Sequence, residues 1–270
     1  MKTARVVFGG AVHEATEAAG APGCLRLADG RVVEESCVMW LAPFEPRTIL
    51  ALALNYADHA RELAAKSSPE QERFLQAQRS EPVVFLKGAS SVIGHRGFTR
   101  RPADGEFMHY ECELAVVIGR EGRRIPRARA YDHVAGYTVA NDYAIRNFLE
   151  PYYRPNLRVK SRDGGTALGP WLVSRDAIAD PMALRLHTEV NGRVVQEGCT
   201  ADMIHDVATL IEYLSGFMTL SPGDVILTGT PKGSVDVQPG DVVACEVQDV
   251  GRLLNTLVPD WPAQPAPSVR

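Results

Sequence analysis

At 270 residues, 45% hydrophobic and 23% charged, the chain has room for one large domain, or one with a small accessory part, around a sizeable core. A net charge of −4 and a pI of 6.0 give no electrostatic footprint for nucleic acid, so the expected partners are small molecules and a second copy of the chain. The five cysteines include no C-x-x-C pair, which argues against a disulfide framework or zinc knuckle and fits a reducing compartment.

The opening MKTARVVFGGAV is interrupted by His13 and Glu14 too early for a signal-peptide core. No apolar run approaches the ~20 residues that span a bilayer, so no membrane is involved and the cytoplasm is the expected location. Residues 2–8 and 24–42 read as short strands, with Ala28-Asp29-Gly30-Arg31 as a hairpin turn. Residues 1–45 are then a small N-terminal β subdomain, its edge marked by Pro43 and Pro46. An apolar run over 48–54 precedes Asn55, which can cap a helix reaching Ala65. Residues 66–80 read as a polar, mobile segment. Strands are predicted over 83–88, 113–119 and 133–143, and a helix over 200–218, where Met203, Val207, Leu210, Ile211 and Leu214 fall at helical spacing. Pro-Gly turns then launch strands over 222–229 and 239–247. The Pro-rich 261–270 is an expected disordered tail behind a main domain at 46–260. Strands outnumber helices without alternating with them, which predicts an α+β, mostly β fold and not a doubly wound sheet.

Glu111-Cys112-Glu113 opens the apolar run Leu114–Ile118. Side chains alternate along a strand, so the two glutamates share a face about 7 Å apart and Cys112 takes the other. They repel unless something positive lies between them; otherwise they are solvated acids at a strand start. Asp142, ending the next strand, is a turn residue or a third acid of the same kind. Three carboxylates with no His or Cys at ligand spacing specify a hard cation, Mg2+, Mn2+ or Ca2+. A 2-oxo acid can offer such an ion its carboxylate and keto oxygens.

His59 and Glu62, i and i+3 on a helix, are either an acid–base pair or a surface ion pair. Arg146, Arg154, Arg158, Lys160 and Arg162, opposed by Glu150 alone, are either a solvated basic loop or an anion-binding wall. Thr228-Gly229-Thr230-Pro231-Lys232-Gly233 lacks the P-loop order and reads as a strand-to-strand turn.

NYADHARE, HYECELAVVIG, NDYAIR, Lys160 and Asp163 ahead of Gly169-Pro170-Trp171, and LTGTPKG follow one another in the chain. In that order and spacing, residues 48–258 resemble the fumarylacetoacetate hydrolase superfamily. The resemblance implies a mixed β-roll with flanking helices. It implies Glu111, Glu113 and Asp142 as ligands of Mg2+, with Mn2+ or Ca2+ as alternatives, and His59 with Glu62 as the acid–base pair. It further implies that Lys160 polarises the oxo group and that Arg146 and Thr230 hold a substrate carboxylate. The stretches EFMHYECELAVVIG and NDYAIRNFLEPYYRPNLRVKSRDG resemble in particular the branch serving homoprotocatechuate breakdown. That implies decarboxylation of 5-carboxymethyl-2-oxo-hex-3-ene-1,6-dioate and isomerisation of 2-hydroxyhepta-2,4-diene-1,7-dioate, with a 2-oxo di- or tricarboxylate as substrate. Some members of the superfamily carry two tandem copies of the fold, so a single copy is expected to form a homodimer. The competing expectations are an acylpyruvate-type hydrolase using the same cation and a non-catalytic metal-binding member. The intact acids and the His59–Glu62 pair favour an enzyme, and the basic stretch favours a polyanionic substrate.

Overall fold

The computed structural model describes residues 1–58, 81–148 and 156–261. The N-terminal part makes β1 (Lys2–Phe8), β2 (Ala11–Glu17), β3 (Cys24–Leu27), β4 (Val32–Glu34) and β5 (Met39–Trp40). Next come β6 (Ile49–Ala53), β7 (Val83–Lys87), β8 (Val92–Ile93), β9 (Gly97–Arg101) and β10 (Met108–His109). The middle holds β11 (Cys112–Ile118), β12 (Val134–Asp142), β13 (Ala144–Ile145), a short helix Leu157–Lys160, and β14 (Thr166–Ser174). The rest is β15 (Arg185–Val190), β16 (Arg193–Cys199), the helix Val207–Phe217, β17 (Val225–Leu227), β18 (Val242–Val247) and β19 (Gly251–Pro259). The chain is thus mainly β, as its patterning predicts, and among the described residues no helix is long and apolar enough to cross a membrane.

One sheet runs β4-β3-β2-β1-β14-β12-β11-β17-β6-β7 and a second runs β16-β15-β18-β19-β9. The sheets are mixed: β12 pairs antiparallel with both β11 and β14, whereas β17 lies parallel to β6 and β19 parallel to β9. Strands β11, β12 and β14 lie against β18 and β19, so β11 is covered on both faces. Cys112, Leu114, Val116 and Ile118 join the large core that contains Cys245, Leu253 and Leu257. Ala115, on the opposite face, packs in a second cluster with Ile49, Ala51, Ala140, Leu168 and Leu227. Burial on both faces is why this strand reads as an unbroken apolar run.

The turn at Ala28–Arg31 forms as expected, with Gly30 N–H donating to Leu27 O at 2.9 Å and Arg31 N–H to Asp29 Oδ1 at 3.1 Å. Strand β2 was not predicted, because its alternation is broken by His13, Glu14 and Glu17. The usable signal was Gly9-Gly10, whose φ of 58° and 82° suits a two-residue hairpin turn. Asn191-Gly192 does the same between β15 and β16, at φ 53° and 78°. The helix predicted over 200–218 begins only at Val207, with Asp206 Oδ1 capping Thr209 N–H at 2.8 Å. Upstream, the Ile204 and His205 N–H groups donate to Asn55 O and Oδ1, at 2.7 and 2.9 Å. Those donors serve tertiary bonds, so only a 3-10 turn, Thr200–Asp202, precedes the cap. The segments 66–80 and 262–270 lie outside the described residues.

Where the N-terminal hairpins meet the main sheet, β1 pairs with β14 and Trp40 packs edge-on against Trp171 and His95. His95 Nδ1 accepts from Leu254 N–H at 3.1 Å. Burial, with Arg96 and Arg252 nearby, lowers the His95 pKa from 6.5 to about 4. Such a group takes up its proton more readily unfolded, so its contribution to stability is complete above 6.5 and is lost as the pH falls through about 4. We expect the urea midpoint to fall from neutral pH to the bottom of that window, and His95→Gln, which keeps an acceptor for Leu254, to fall less steeply. Equal slopes would mean that other groups govern acid unfolding.

Candidate metal centre

Register builds the site. Cys112 pairs with Asn141 and Glu113 with Ala140, and Asp142 N–H donates to Glu111 O at 2.9 Å. With side chains alternating, Glu111, Glu113 and Asp142 emerge on one face at one end of the β11–β12 pair. One carboxylate oxygen from each lies within 4.8 Å of the other two. Their residues are 7%, 0% and 1% exposed, which rules out the solvated-acid reading. Asn141 trims the strand end by accepting Glu111 N–H on Oδ1 at 3.1 Å.

Cations surround two of these acids. Lys160 Nζ is 2.5 Å from Glu111 Oε2 and 3.0 Å from Asp142 Oδ2. Lys87 Nζ is 2.5 Å from Asp142 Oδ1 and also donates to the carbonyl of Lys160. Arg146 reaches Glu111 Oε1 at 2.6 Å, and its Nε donates to His109 Nδ1 at 3.2 Å. Burial works to lower the Lys160 pKa, but Asp142 and Glu111 outweigh it and hold the ammonium above its usual value. At Lys87 burial wins over Asp142 and the pKa is lowered. Burial and the Arg146 charge press His109 down to about 4, so it stays neutral and can accept.

Glu113 differs. Its Oε2 accepts Gly229 N–H at 2.6 Å, and its Oε1 is buried without a hydrogen-bond partner among the described residues. Burial, then the charges of Asp142 and Glu111, push its carboxyl well above the usual range. An all-oxygen donor set, crowded negative charge and a buried, orphaned carboxylate oxygen on Glu113 fit a hard divalent cation held by Glu111, Glu113 and Asp142. Gly229 can approach because it sits at φ 89°, where a Cβ would come 3.1 Å from Asn55 Cβ.

Of the residues singled out in the sequence, Glu111, Glu113, Asp142 and Lys160 therefore meet in one buried cluster, with the half-buried Arg146 at its edge. Thr230 adjoins it through Gly229 and is itself buried. His59 and Glu62 lie outside the described residues, as does Arg154. The chain leading to them is anchored by Asn55, whose Nδ2 donates to Thr228 O at 2.9 Å and His205 O at 3.0 Å. The basic stretch divides. Arg158 pairs with Asp104 at 3.0 Å and stacks over Phe148, and Arg162 pairs with Asp260 at 3.5 Å; neither makes an ion pair with the three carboxylates. Lys87, His109 and Asn141 were missed. Lys87 had a signal, a lysine ending the apolar strand VVFLK, whereas His109 and Asn141 become legible only once the register is known.

The fumarylacetoacetate (FAA) hydrolase C-terminal family matches residues 48–258. The chain belongs to the fumarylacetoacetate hydrolase family. Within that family, a Salmonella dublin protein named 4-hydroxyphenylacetate degradation bifunctional isomerase/decarboxylase is 55% identical over 211 residues, covering 78% of this chain and 47% of the relative. This chain spans about half the length of such bifunctional relatives. The crystal structure of 5-carboxymethyl-2-hydroxymuconate delta-isomerase from Mycobacterium smegmatis is similar at TM-score 0.81 and 35% identity, over 97% of this chain and all of that one. That of 2-hydroxyhepta-2,4-diene-1,7-dioate isomerase from Mycobacterium marinum is similar at TM-score 0.78 and 31% identity, over 97% of this chain and all of that one. The family fold and the mainly β architecture described above agree.

Proposed function

We propose that this chain is a divalent-cation-dependent isomerase and decarboxylase of 2-oxo di- and tricarboxylates. Its reactions on this reading are decarboxylation of 5-carboxymethyl-2-oxo-hex-3-ene-1,6-dioate and isomerisation of 2-hydroxyhepta-2,4-diene-1,7-dioate. The names of the half-length-matching relatives and of the two structural neighbours support the substrates. The observation that carries the chemistry is the buried Glu111–Glu113–Asp142 cluster with its orphaned oxygen and flanking ammonium. Mg2+ is the proposed cation, with Mn2+ or Ca2+ able to serve the same ligands. When bound, it supplies a Lewis acid for negative charge on the 2-oxo oxygen.

The chain's own residues do the rest. Lys160 donates a hydrogen bond to the oxo oxygen as charge builds there. Arg146 and Thr230 hold substrate carboxylates. Decarboxylation releases an electron pair into the conjugated system and needs no base at carbon. Isomerisation moves a proton from the enol oxygen to carbon, and His59 oriented by Glu62 is placed in that role, worth about 10²–10⁴-fold. The active form on this reading is a homodimer, two copies standing in for the longer relatives; sedimentation at twice the 29.4 kDa chain mass checks it.

The test follows the ultraviolet absorbance of each conjugated substrate with Mg2+ and with chelator. Both reactions should require the cation, and His59→Ala should slow isomerisation far more than decarboxylation. No turnover of either substrate, with cation-dependent cleavage of an acylpyruvate to pyruvate and a carboxylic acid, would indicate a hydrolase. Equal slowing of both reactions by His59→Ala would remove the division of labour.

Arg146→Ala should raise KM for the dicarboxylate by about 10- to 100-fold, the worth of one hydrogen bond to a charged group, and much less for a monocarboxylic 2-oxo acid. The same rise for both substrates would reduce Arg146 to a partner of Glu111.

A further inference from the structure

The loop after β17 is pinned by bonds that go beyond a simple turn. Gly229 N–H binds Glu113, and Tyr110 Oη donates to Gly233 O at 3.0 Å. Between them, Gln196 on β16 donates from Nε2 to Pro231 O at 2.7 Å and to Thr230 Oγ1 at 3.1 Å. Its Oε1 accepts from Thr188 Oγ1, on β15, at 2.8 Å. The three side-chain partners are all buried, with Thr188, Gln196 and Thr230 at 0%, 3% and 4% exposed. Strand β16 comes close enough to the loop that a Cβ at Gly198 would lie 2.7 Å from Pro231 Cβ.

The orientation of the Gln196 amide follows from these partners. A proline carbonyl can only accept, so it must face the NH2 end, and the oxygen end is left for the Thr188 hydroxyl to donate to. A flipped amide would set two carbonyl oxygens against each other at 2.7 Å. With the amide fixed, Thr230 Oγ1 is the acceptor in its bond to Gln196. Its own proton is therefore left to be donated elsewhere.

We propose that Gln196, locked by Thr188, is a positioning residue that makes Thr230 a hydrogen-bond donor toward the substrate. The inference rests on the reading above in which Thr230 meets a substrate carboxylate, and it adds a selectivity. This position takes a carboxylate or carbonyl oxygen and disfavours an ammonium or another donor.

Gln196→Glu keeps the shape and reverses the hydrogen-bond sense. Facing Pro231 O, the buried carboxyl gives its one proton to that carbonyl, has none left for Thr230, and accepts from Thr230 instead, which turns the hydroxyl proton away from the substrate. Its KM for 2-hydroxyhepta-2,4-diene-1,7-dioate should rise about 10- to 100-fold, with kcat and the calorimetric Mg2+ affinity little changed. Thr188→Val, which frees the amide to turn, should shift KM in the same direction by less, and it decides the matter if Gln196→Glu does not fold. In a Thr230→Val background neither change should add to the loss, because both act through the Thr230 hydroxyl. If Thr230→Val leaves KM unchanged, the carboxylate-binding reading fails and this inference with it. If Thr230→Val weakens binding but the Gln196 and Thr188 variants do not, or if their effects add fully to it, the positioning role is overturned and the Thr230 reading stands.

Discussion

Glu113→Gln should abolish cation binding and turnover together, while making the cation-free protein more stable. Among the described residues the ion pairs of the cluster go to Glu111 and Asp142. Among the described residues Glu113 has only the Gly229 N–H on one oxygen and no partner on the other, so without a cation either carrying the charge or taking up a proton to lose it costs stability. The amide keeps an acceptor for Gly229 and removes that charge. Chelator-treated Glu113→Gln should therefore melt above chelator-treated wild type. Added Mg2+ should raise the wild-type midpoint, because an ion that binds only the folded state stabilises it by mass action, and should leave the variant where it was. The loss of Mg2+ affinity by calorimetry should exceed the roughly 10–100-fold typical of losing an outer partner of a metal ligand. An equal thermal response to Mg2+ in both proteins would remove Glu113 from the ligand set.

Lys160→Met should be the most damaging change outside the carboxylates. The ammonium is wedged between Glu111 and Asp142, and its backbone carbonyl is in turn held by Lys87. Removing one partner from a buried charge cluster costs about 3–5 kcal/mol because the remaining charges stay buried. The chelator-treated variant should lose that much by urea unfolding, and Mg2+ should restore part of it, since the cation answers the same carboxylates. Activity should not return with it. Both proposed reactions develop charge on the 2-oxo oxygen, and loss of a donor aimed at such an oxygen typically costs about 10²–10³ in kcat. Single-turnover absorbance should show decarboxylation and isomerisation falling together, unlike the unequal effect expected of His59→Ala. A Lys160→Met enzyme with near-normal turnover at saturating Mg2+ would leave Lys160 as a counter-ion only.

Much of this was legible before any coordinates. The strand Cys112–Ile118 announced itself because both its faces are buried, and the two-residue spacing of Glu111 and Glu113 placed both acids on one side of it by geometry alone. The motifs at 55–62, 109–119, 141–146 and 227–233, with Lys160 and Asp163 ahead of Gly169-Pro170-Trp171, carried the family. What the chain order could not supply was everything made by register and loop contact. Asp142 joins the two glutamates only because β12 pairs with β11 so that residue 142 falls opposite 111. Lys87 enters because the chain after β7 leads into β8, which pairs with β14 at Thr166, the strand partner of Asp142, a neighbourhood that no local pattern encodes. Arg158 and Arg162 looked like Arg146 in a basic stretch, yet they turn to Asp104 and Asp260, since an ion pair is chosen by what lies within reach in space. The donor sense of Thr230 depends on a glutamine and a threonine from another hairpin. Local sequence determined which strands form and which residue types they present; long-range strand pairing decided which of those charges meet and how each is compensated.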